Sequence, residues 1–254
     1  MTDFLLLHGP GHGGWVWDGV VGAMEDALRR RTGLYHSMYT QGTILAPDLP
    51  GHGARFGEDD PLALTFEHCV EDLLRTVEDA GLRNPVIGVH SLSGLLALEL
   101  ARRLGDVKAL VLVGAAVPDL FHNPVETLPL PTRAALGALR LYPNTPPESV
   151  RMVKEMALML LCNDIPFPDA ARAVVGRMRP IPLRPWDALP DPEALEPACP
   201  VTYMVLGRDR FLWPGTQREM AASLPGAQVL ELDCGHEAPV THPQEVADAL
   251  LAYA

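Results

Sequence analysis

Three side chains that could together cleave an acyl bond each follow a short apolar run of the kind that forms a buried strand. They are Ser91, Asp209 and His236, in that chain order. A serine hydroxyl is a weak nucleophile until a base removes its proton, and the base needs a third group to orient it. The residue types and their order make these three the candidates for nucleophilic acyl transfer.

The residues around Ser91 indicate a very tight turn. In VIGVHSLSGLLALEL (residues 86–100), only His90 to Ser93 separate the apolar run Val86–Val89 from a helix that begins at Gly94. Such a turn forces strained geometry on its central residue, at about 1–3 kcal/mol, and strain of this kind tends to persist at functional sites. Ser91 is therefore either a nucleophile or a small residue that fits the turn.

Strands and helices alternate along most of the chain. Strands are predicted at Phe4–Leu7, Thr43–Ala46, Pro85–Val89, Ala109–Val113, Val201–Leu206 and Val229–Leu232, and helices at about 17–30, 65–80, 94–104 and after 243. This alternation predicts an α/β fold with a doubly wound, mostly parallel sheet. Such sheets bind ligands at the carboxyl ends of their strands, where all three candidates stand.

The alternation breaks once, in a proline-rich segment after the fourth strand. Apolar residues at helical spacing predict helices there at Pro147–Leu161 and Phe167–Met178. We therefore expect a core formed by residues 1–117 and 196–254, with a small helical cap formed by residues 118–195.

Two features of the chain leave alternatives open. The large apolar side chains of the cap either line a substrate pocket or pack in the core; they are Phe121, Met152, Met156, Met159 and Trp186. The link over residues 31–43 is too polar for the core and is either a mobile flap or a partner surface.

Composition excludes several kinds of partner. A formal net charge of −12 argues against nucleic acid and anionic membranes, since both need a basic face. No apolar run approaches the roughly 18 residues of a membrane span, and the apolar N-terminal run is expected to be a strand, not a signal peptide. The four cysteines lie far apart, which predicts no metal site, no disulfide framework and free thiols in the cytoplasm. Oligomeric state stays open.

Five motifs in the same order resemble those of the α/β-hydrolase superfamily. They are FLLLHGPGHGGWVW, APDLPGHG, VHSLSG, LGRDRFLWP and LDCGHEAPVTHP. The first resembles more narrowly a compact branch that includes plant methylesterases, hydroxynitrile lyases and bacterial pyrethroid-type esterases. The resemblance implies Ser91 as nucleophile, His236 as general base and then acid, and Asp209 as the group that orients His236.

The resemblance also singles out positions where this chain departs from the family pattern. The acid stands five residues before Pro214, as in the lyases, and Asp119 after the fourth strand is the alternative. Lyases carry a lysine after the catalytic histidine, where this chain has Glu237, which disfavours lyase activity. Glu237 and its neighbour Asp233 are expected at the surface.

Two further histidines and the oxyanion hole complete the implied site. His12 and His52 are expected to brace turns. The family takes oxyanion donors from the amide of Leu92 and from the residue after His8-Gly9, which is Pro10 here. Proline has no N–H, so either Gly11 supplies the second amide or the hole is incomplete.

These observations predict a serine hydrolase that acts on a carboxylic ester of a small, mainly apolar molecule and needs no cofactor. The sequence does not separate this activity from hydrolysis of thioesters, lactones, amides or carbamates. A non-hydrolytic biosynthetic enzyme and a ligand receptor on the same fold stay open as alternatives.

Overall fold

A computed structural model of the chain describes residues 2–32, 42–60, 63–139, 147–180 and 184–254. Within these residues, six strands form one sheet: β1 (Phe4–Leu7), β2 (Ile44–Leu45), β3 (Val86–His90), β4 (Ala109–Val113), β5 (Val201–Leu206) and β6 (Gln228–Leu232). All the pairings are parallel, in the order β2-β1-β3-β4-β5-β6. The predicted α/β fold is confirmed.

The strand order reverses between β1 and β3. The chain leaves β1 for β2 at one edge and returns to β3 on the other side of β1. A crevice opens at such a switch point, beyond the carboxyl ends of the two strands. The residues that follow β1 and β3 therefore face each other across the place where a ligand is expected.

The helices are, in chain order, α1 (Asp18–Thr32), α2 (Phe66–Asp79), α3 (Gly94–Leu104), α4 (Leu130–Leu139), α5 (Pro147–Leu160), α6 (Pro168–Arg177), α7 (Pro214–Ser223), α8 (Ala238–Thr241) and α9 (Pro243–Leu251). Most match the sequence prediction to within two residues. The sequence does not predict helix α4, because the prolines and glycine near it disguise its pattern, and it does not predict α7 or α8 either. No helix in the described part of the chain combines the length and apolarity of a membrane span.

Apolar side chains cover both faces of the sheet. Along β1, Leu5 and Leu7 belong to one buried cluster and Phe4 and Leu6 to the other, because successive side chains of a strand point to opposite faces. Because both faces of the sheet are buried, the strand sequences are continuous runs of apolar residues.

The segment over residues 118–195 contains α4, α5 and α6 and contacts the loops at the carboxyl ends of the strands. Four hydrogen bonds are among these contacts: Arg179 N–H to Gly11 O (2.8 Å), Thr132 Oγ1 to Phe211 O (3.2 Å), Asn163 Nδ2 to Arg208 O (3.0 Å) and Gly235 N–H to Asp164 Oδ2 (2.6 Å). The division into core and cap stays a prediction. Residues 33–41 of the polar link lie outside the described residues, so its role stays a prediction too.

Candidate active site

Ser91 lies in a strained turn between β3 and α3. Its φ angle is +63°, in the left-handed region, which costs a non-glycine residue about 1–3 kcal/mol. The 3-10 turn Ser91–Ser93 leads directly into α3. Gly94 is so close to the carbonyl oxygen of Ala116 that a Cβ atom there would collide with it. The tight turn predicted from the sequence is confirmed.

The three candidates for acyl transfer form a hydrogen-bonded chain. His236 Nε2 lies 2.9 Å from Ser91 Oγ, and His236 Nδ1 lies 2.7 Å from Asp209 Oδ2. All three are buried, so little water competes for these bonds. The neighbouring hydroxyl of Ser93 donates instead to the carbonyl oxygen of His8 at 2.7 Å.

The structure distinguishes the two candidate acids. The side chain of Asp119 is 62% exposed and accepts hydrogen bonds from Phe121 N–H and the His122 ring. The side chain of Asp209 is fully buried beside His236. Of the two, only Asp209 has the contact that an orienting acid needs.

Asp209 is held by groups that the sequence did not single out. Its Oδ1 accepts from the N–H groups of Phe211 (2.7 Å) and Leu212 (3.0 Å), and its Oδ2 accepts from Gln217 Nε2 (2.9 Å). Gln217 Oε1 accepts in turn from Leu206 N–H at 2.8 Å, which fixes the orientation of its amide. Gln217 is fully buried, and nothing in its sequence surroundings marks it as part of the site.

The backbone around His236 is held on two sides. The carboxylate of Asp164 accepts from Gly235 N–H at 2.6 Å, and His90 Nε2 lies 2.9 Å from the carbonyl oxygen of His236. The ring of Phe211 packs against the imidazole of His236, with centroids 4.7 Å apart. Hydrogen bonds to the backbone and the contact with the Phe211 ring therefore fix the position of the imidazole.

The prediction that Glu237 lies at the surface is wrong. Glu237 is fully buried, and its Oε1 lies 3.0 Å from His12 Nε2. Burial alone would raise the pKa of Glu237, but the charge and hydrogen bond of His12 outweigh it and lower the pKa to about 2. Burial likewise opposes charge on His12, yet Glu237 raises the pKa of His12 above its ordinary value. Asp233, by contrast, is exposed as expected.

Other buried histidines near the site are neutral braces. His8 Nε2 accepts from Leu49 N–H at 3.0 Å, and His52 Nδ1 bonds the carbonyl oxygen of Pro50 at 2.9 Å. Burial lowers the pKa of His52 to about 4 and that of His90 to about 3, and it holds the pKa of His8 well below its ordinary value. The expected bracing roles of His12 and His52 agree with these contacts.

The candidate oxyanion groups lie on two turns. Gly9, Pro10, Gly11 and His12 form a β-turn closed by His12 N–H to Gly9 O at 3.3 Å. The φ of +79° at Gly11, with proline before it, is that of a type II turn. The N–H of Gly11 has no protein partner among the described residues. Leu92 occupies the 3-10 turn after Ser91, and amides at the start of a helical turn have no intrahelical acceptor.

The large apolar side chains of the cap segment differ in how deeply they are buried. Phe121 is 82% exposed and Met159 is 64% exposed, so neither packs in the core, and their place in a pocket stays a prediction. Trp186 is fully buried and packs in the core, which agrees with the alternative. Met156 is partly buried, and the side chain of Met152 lies outside the described residues.

The four cysteines are free thiols, as predicted: Cys69, Cys162, Cys199 and Cys234. Burial raises the pKa of the Cys69, Cys162 and Cys234 thiols to about 12, which makes them poor nucleophiles near neutral pH. Among the described residues, no three His, Cys, Asp or Glu side chains are grouped as a metal site would require.

Comparison with known proteins identifies the family of the chain. The model of the alpha/beta hydrolase family matches residues 4–249. A carbendazim hydrolyzing esterase from Nocardioides sp. (strain SG-4G) is 25% identical and covers 99% of both chains. Methylesterase 18 of Arabidopsis thaliana is 24% identical, over 98% of this chain and 95% of the plant protein.

The structural comparison concerns the fold. An extracellular alpha/beta-hydrolase from a Paenibacillus species superposes with a TM-score of 0.79 at 17% identity, over 100% of this chain and 99% of that one. The predicted resemblance, including that to plant methylesterases, is confirmed.

Proposed function

Because the chain belongs to the alpha/beta hydrolase family, we propose that it is a serine esterase that cleaves a carboxylic ester of a small, mainly apolar molecule. The observation that carries the proposal is the buried chain of hydrogen bonds from Asp209 through His236 to Ser91. The relatives that align with almost the whole chain are esterases, which supports ester hydrolysis.

The first half of the reaction transfers the acyl group to the enzyme. Ser91 Oγ attacks the ester carbonyl carbon while His236 Nε2 takes the hydroxyl proton. The carbonyl oxygen becomes an oxyanion, which the amide of Leu92 and one further amide stabilise. When the tetrahedral intermediate collapses, the C–O bond to the alcohol breaks and His236 gives its proton to the leaving oxygen.

The second half restores the enzyme. Water gives a proton to His236 and attacks the acyl carbon, and the bond to Ser91 Oγ then breaks as His236 returns the proton. Asp209 keeps the Nδ1 proton of His236 in place, so Nε2 is free to accept the proton of Ser91. The carboxylate also stabilises the imidazolium that forms in each half.

Labelling with a fluorophosphonate tests the nucleophile. We expect mass spectrometry to place one adduct on Ser91 and none in Ser91→Ala, which should fold normally because alanine fits the turn. An adduct on Ser93 or on a cysteine would refute the assignment.

A panel of matched ester, thioester, lactone, amide and carbamate substrates tests the reaction class. We expect the highest kcat/KM on esters. A labelled enzyme that cleaves none of them would favour non-hydrolytic chemistry, and a protein that is neither labelled nor active would favour a receptor. The cytoplasmic location inferred from the cysteines belongs to this proposal, and cell fractionation tests it.

A further inference from the structure

The buried pair of His12 and Glu237 joins the two halves of the site. His12 Nε2 contacts Glu237, the residue directly after His236, while His12 Nδ1 lies 3.1 Å from the carbonyl oxygen of Pro10. Both side chains are almost completely buried, and the pair spans 225 positions of the chain. One imidazole therefore links the candidate oxyanion turn to the loop of the general base.

Hydrogen-bond chemistry fixes the proton on Nδ1 of His12. A carbonyl oxygen such as that of Pro10 can only accept, so Nδ1 must carry a hydrogen. Nε2 and the carboxylate of Glu237 then share a second proton, which a lone neutral histidine would lack. The carboxylate of Glu237 thus favours an N–H on both ring nitrogens of His12, so that Nδ1 always donates to the carbonyl oxygen of Pro10.

That N–H determines which way the Gly11 amide points. The peptide between Pro10 and Gly11 is planar, with the N–H of Gly11 opposite to the carbonyl oxygen of Pro10. In a type I turn this peptide would be rotated by roughly half a turn relative to the type II turn present here. Glycine accepts either form, so the hydrogen bond from His12 decides between them.

The turn lies directly beside the nucleophile. A Cβ atom on Gly9 would stand 2.6 Å from Ser91 Cβ and 3.2 Å from Ser91 Oγ. The carbonyl oxygen of Gly11 is separately held by Arg179 N–H at 2.8 Å. Both peptides that flank Gly11 are therefore fixed, and its own N–H is left without a protein partner among the described residues.

We propose that His12 and Glu237 are positioning residues that set the Pro10–Gly11 peptide so that the Gly11 amide replaces the oxyanion donor that Pro10 cannot supply. This inference rests on the proposed esterase function. Two other roles for the pair make different predictions: simple packing, and electrostatic support of the imidazolium on His236 by the charge of Glu237.

Two substitutions of His12 separate these roles, because the amide nitrogen of asparagine takes the place of Nδ1 and that of glutamine takes the place of Nε2. His12→Gln keeps the contact with Glu237 and releases Pro10. His12→Asn keeps the contact with Pro10 and leaves the charge of Glu237 unpaired, and Glu237→Gln removes that charge in the double variant. The double variant is therefore the matched control for His12→Gln.

The assay measures kcat and KM on an activated ester, together with the affinity for a trifluoromethyl ketone. The ketone adds to the serine and places an oxyanion in the hole, whereas KM reports mainly ground-state binding. We expect His12→Gln to lower kcat by about 10²-fold, the loss of one oxyanion donor, and to weaken ketone binding by a similar factor. KM should change less than about threefold. The double variant should have a kcat at least about ten times that of His12→Gln.

Glu237→Gln alone covers the case in which His12→Gln does not fold. The amide that this substitution introduces can donate to a neutral His12 whose Nδ1 still bonds Pro10, so we expect ketone affinity to change less than about tenfold. A larger fall would support the electrostatic role and overturn the proposal. Equal losses in His12→Gln and the double variant would overturn it in favour of packing. If the unsubstituted enzyme neither cleaves esters nor binds the ketone, the esterase proposal itself fails.

Discussion

Replacing Asp209 with asparagine changes one atom at the most densely hydrogen-bonded point of the candidate site. Its carboxylate accepts four hydrogen bonds, from two backbone N–H groups, Gln217 and His236. If the asparagine oxygen faces the backbone, its NH₂ group faces His236 Nδ1 and the amide of Gln217. His236 must then change tautomer and carry its proton on Nε2, where it cannot accept the proton of Ser91.

The opposite orientation of the asparagine is also unfavourable. Its NH₂ group would face the N–H groups of Phe211 and Leu212, and each buried donor left without an acceptor costs about 1–3 kcal/mol. In the first orientation only Gln217 Nε2 loses an acceptor, and it still donates to the carbonyl oxygen of Leu212 at 2.6 Å. The first orientation therefore predominates, and with it the wrong tautomer.

We expect kcat of Asp209→Asn to fall by about 10⁴-fold, which corresponds to about 5.5 kcal/mol of transition-state stabilisation. Steady-state kinetics on an activated ester measures the fall, and the far-UV circular dichroism spectrum should be unchanged. Asp119→Asn is the matched control, because that carboxylate is exposed and should leave kcat within about twofold. Comparable losses in the two variants, or a loss below about tenfold in Asp209→Asn, would refute the reasoning.

Three further predictions follow from the structure. Pro10→Ala should change kcat less than about threefold if Gly11 already fills the oxyanion hole, and a rise of tenfold or more in the ester assay would show that the proline impairs it. Because the side chain of Trp186 is fully buried, Trp186→Ala should lower the free energy of unfolding by about 3–5 kcal/mol in urea titrations and change KM little. A changed KM with an unchanged free energy of unfolding would show that Trp186 lines the pocket. Burial holds the pKa of His52 at about 4 and that of His90 at about 3. As the pH falls below about 6.5, both histidines therefore become protonated in the unfolded chain while they stay neutral in the folded protein. Each should then lower the free energy of unfolding by about 1.4 kcal/mol for every pH unit. A urea midpoint that stays constant from pH 7 to pH 5 would contradict this.

The fold and the three central residues could be predicted because their signals are local. A strand buried on both faces is a short apolar run, and a residue that follows such a run lies at the ligand-binding edge of a parallel sheet. Ser91, Asp209 and His236 each carry that signal. The chain order then relates them to a known arrangement without any knowledge of distances.

The supporting residues could not be predicted because their partners are distant in sequence. Glu237 is a charged residue, which normally indicates the surface, and only the fold brings His12 close enough to compensate its burial. Gln217 lies in a stretch with little apolar periodicity, and its role depends on the position of the loop that carries Asp209. For Trp186 both a pocket and a core position stay open, because sequence alone does not show which side of a chain segment faces the sheet.

The hydrogen bond between Asp164 and Gly235 has a consequence for engineering. A residue of the predicted cap also holds the loop that carries the proposed general base. Exchanging this segment between relatives therefore also exchanges the residue that holds the loop of His236. Chimeras that retain an aspartate at this place should keep their turnover, while those that lose it should need a compensating change near Gly235 before selection for a new substrate can succeed.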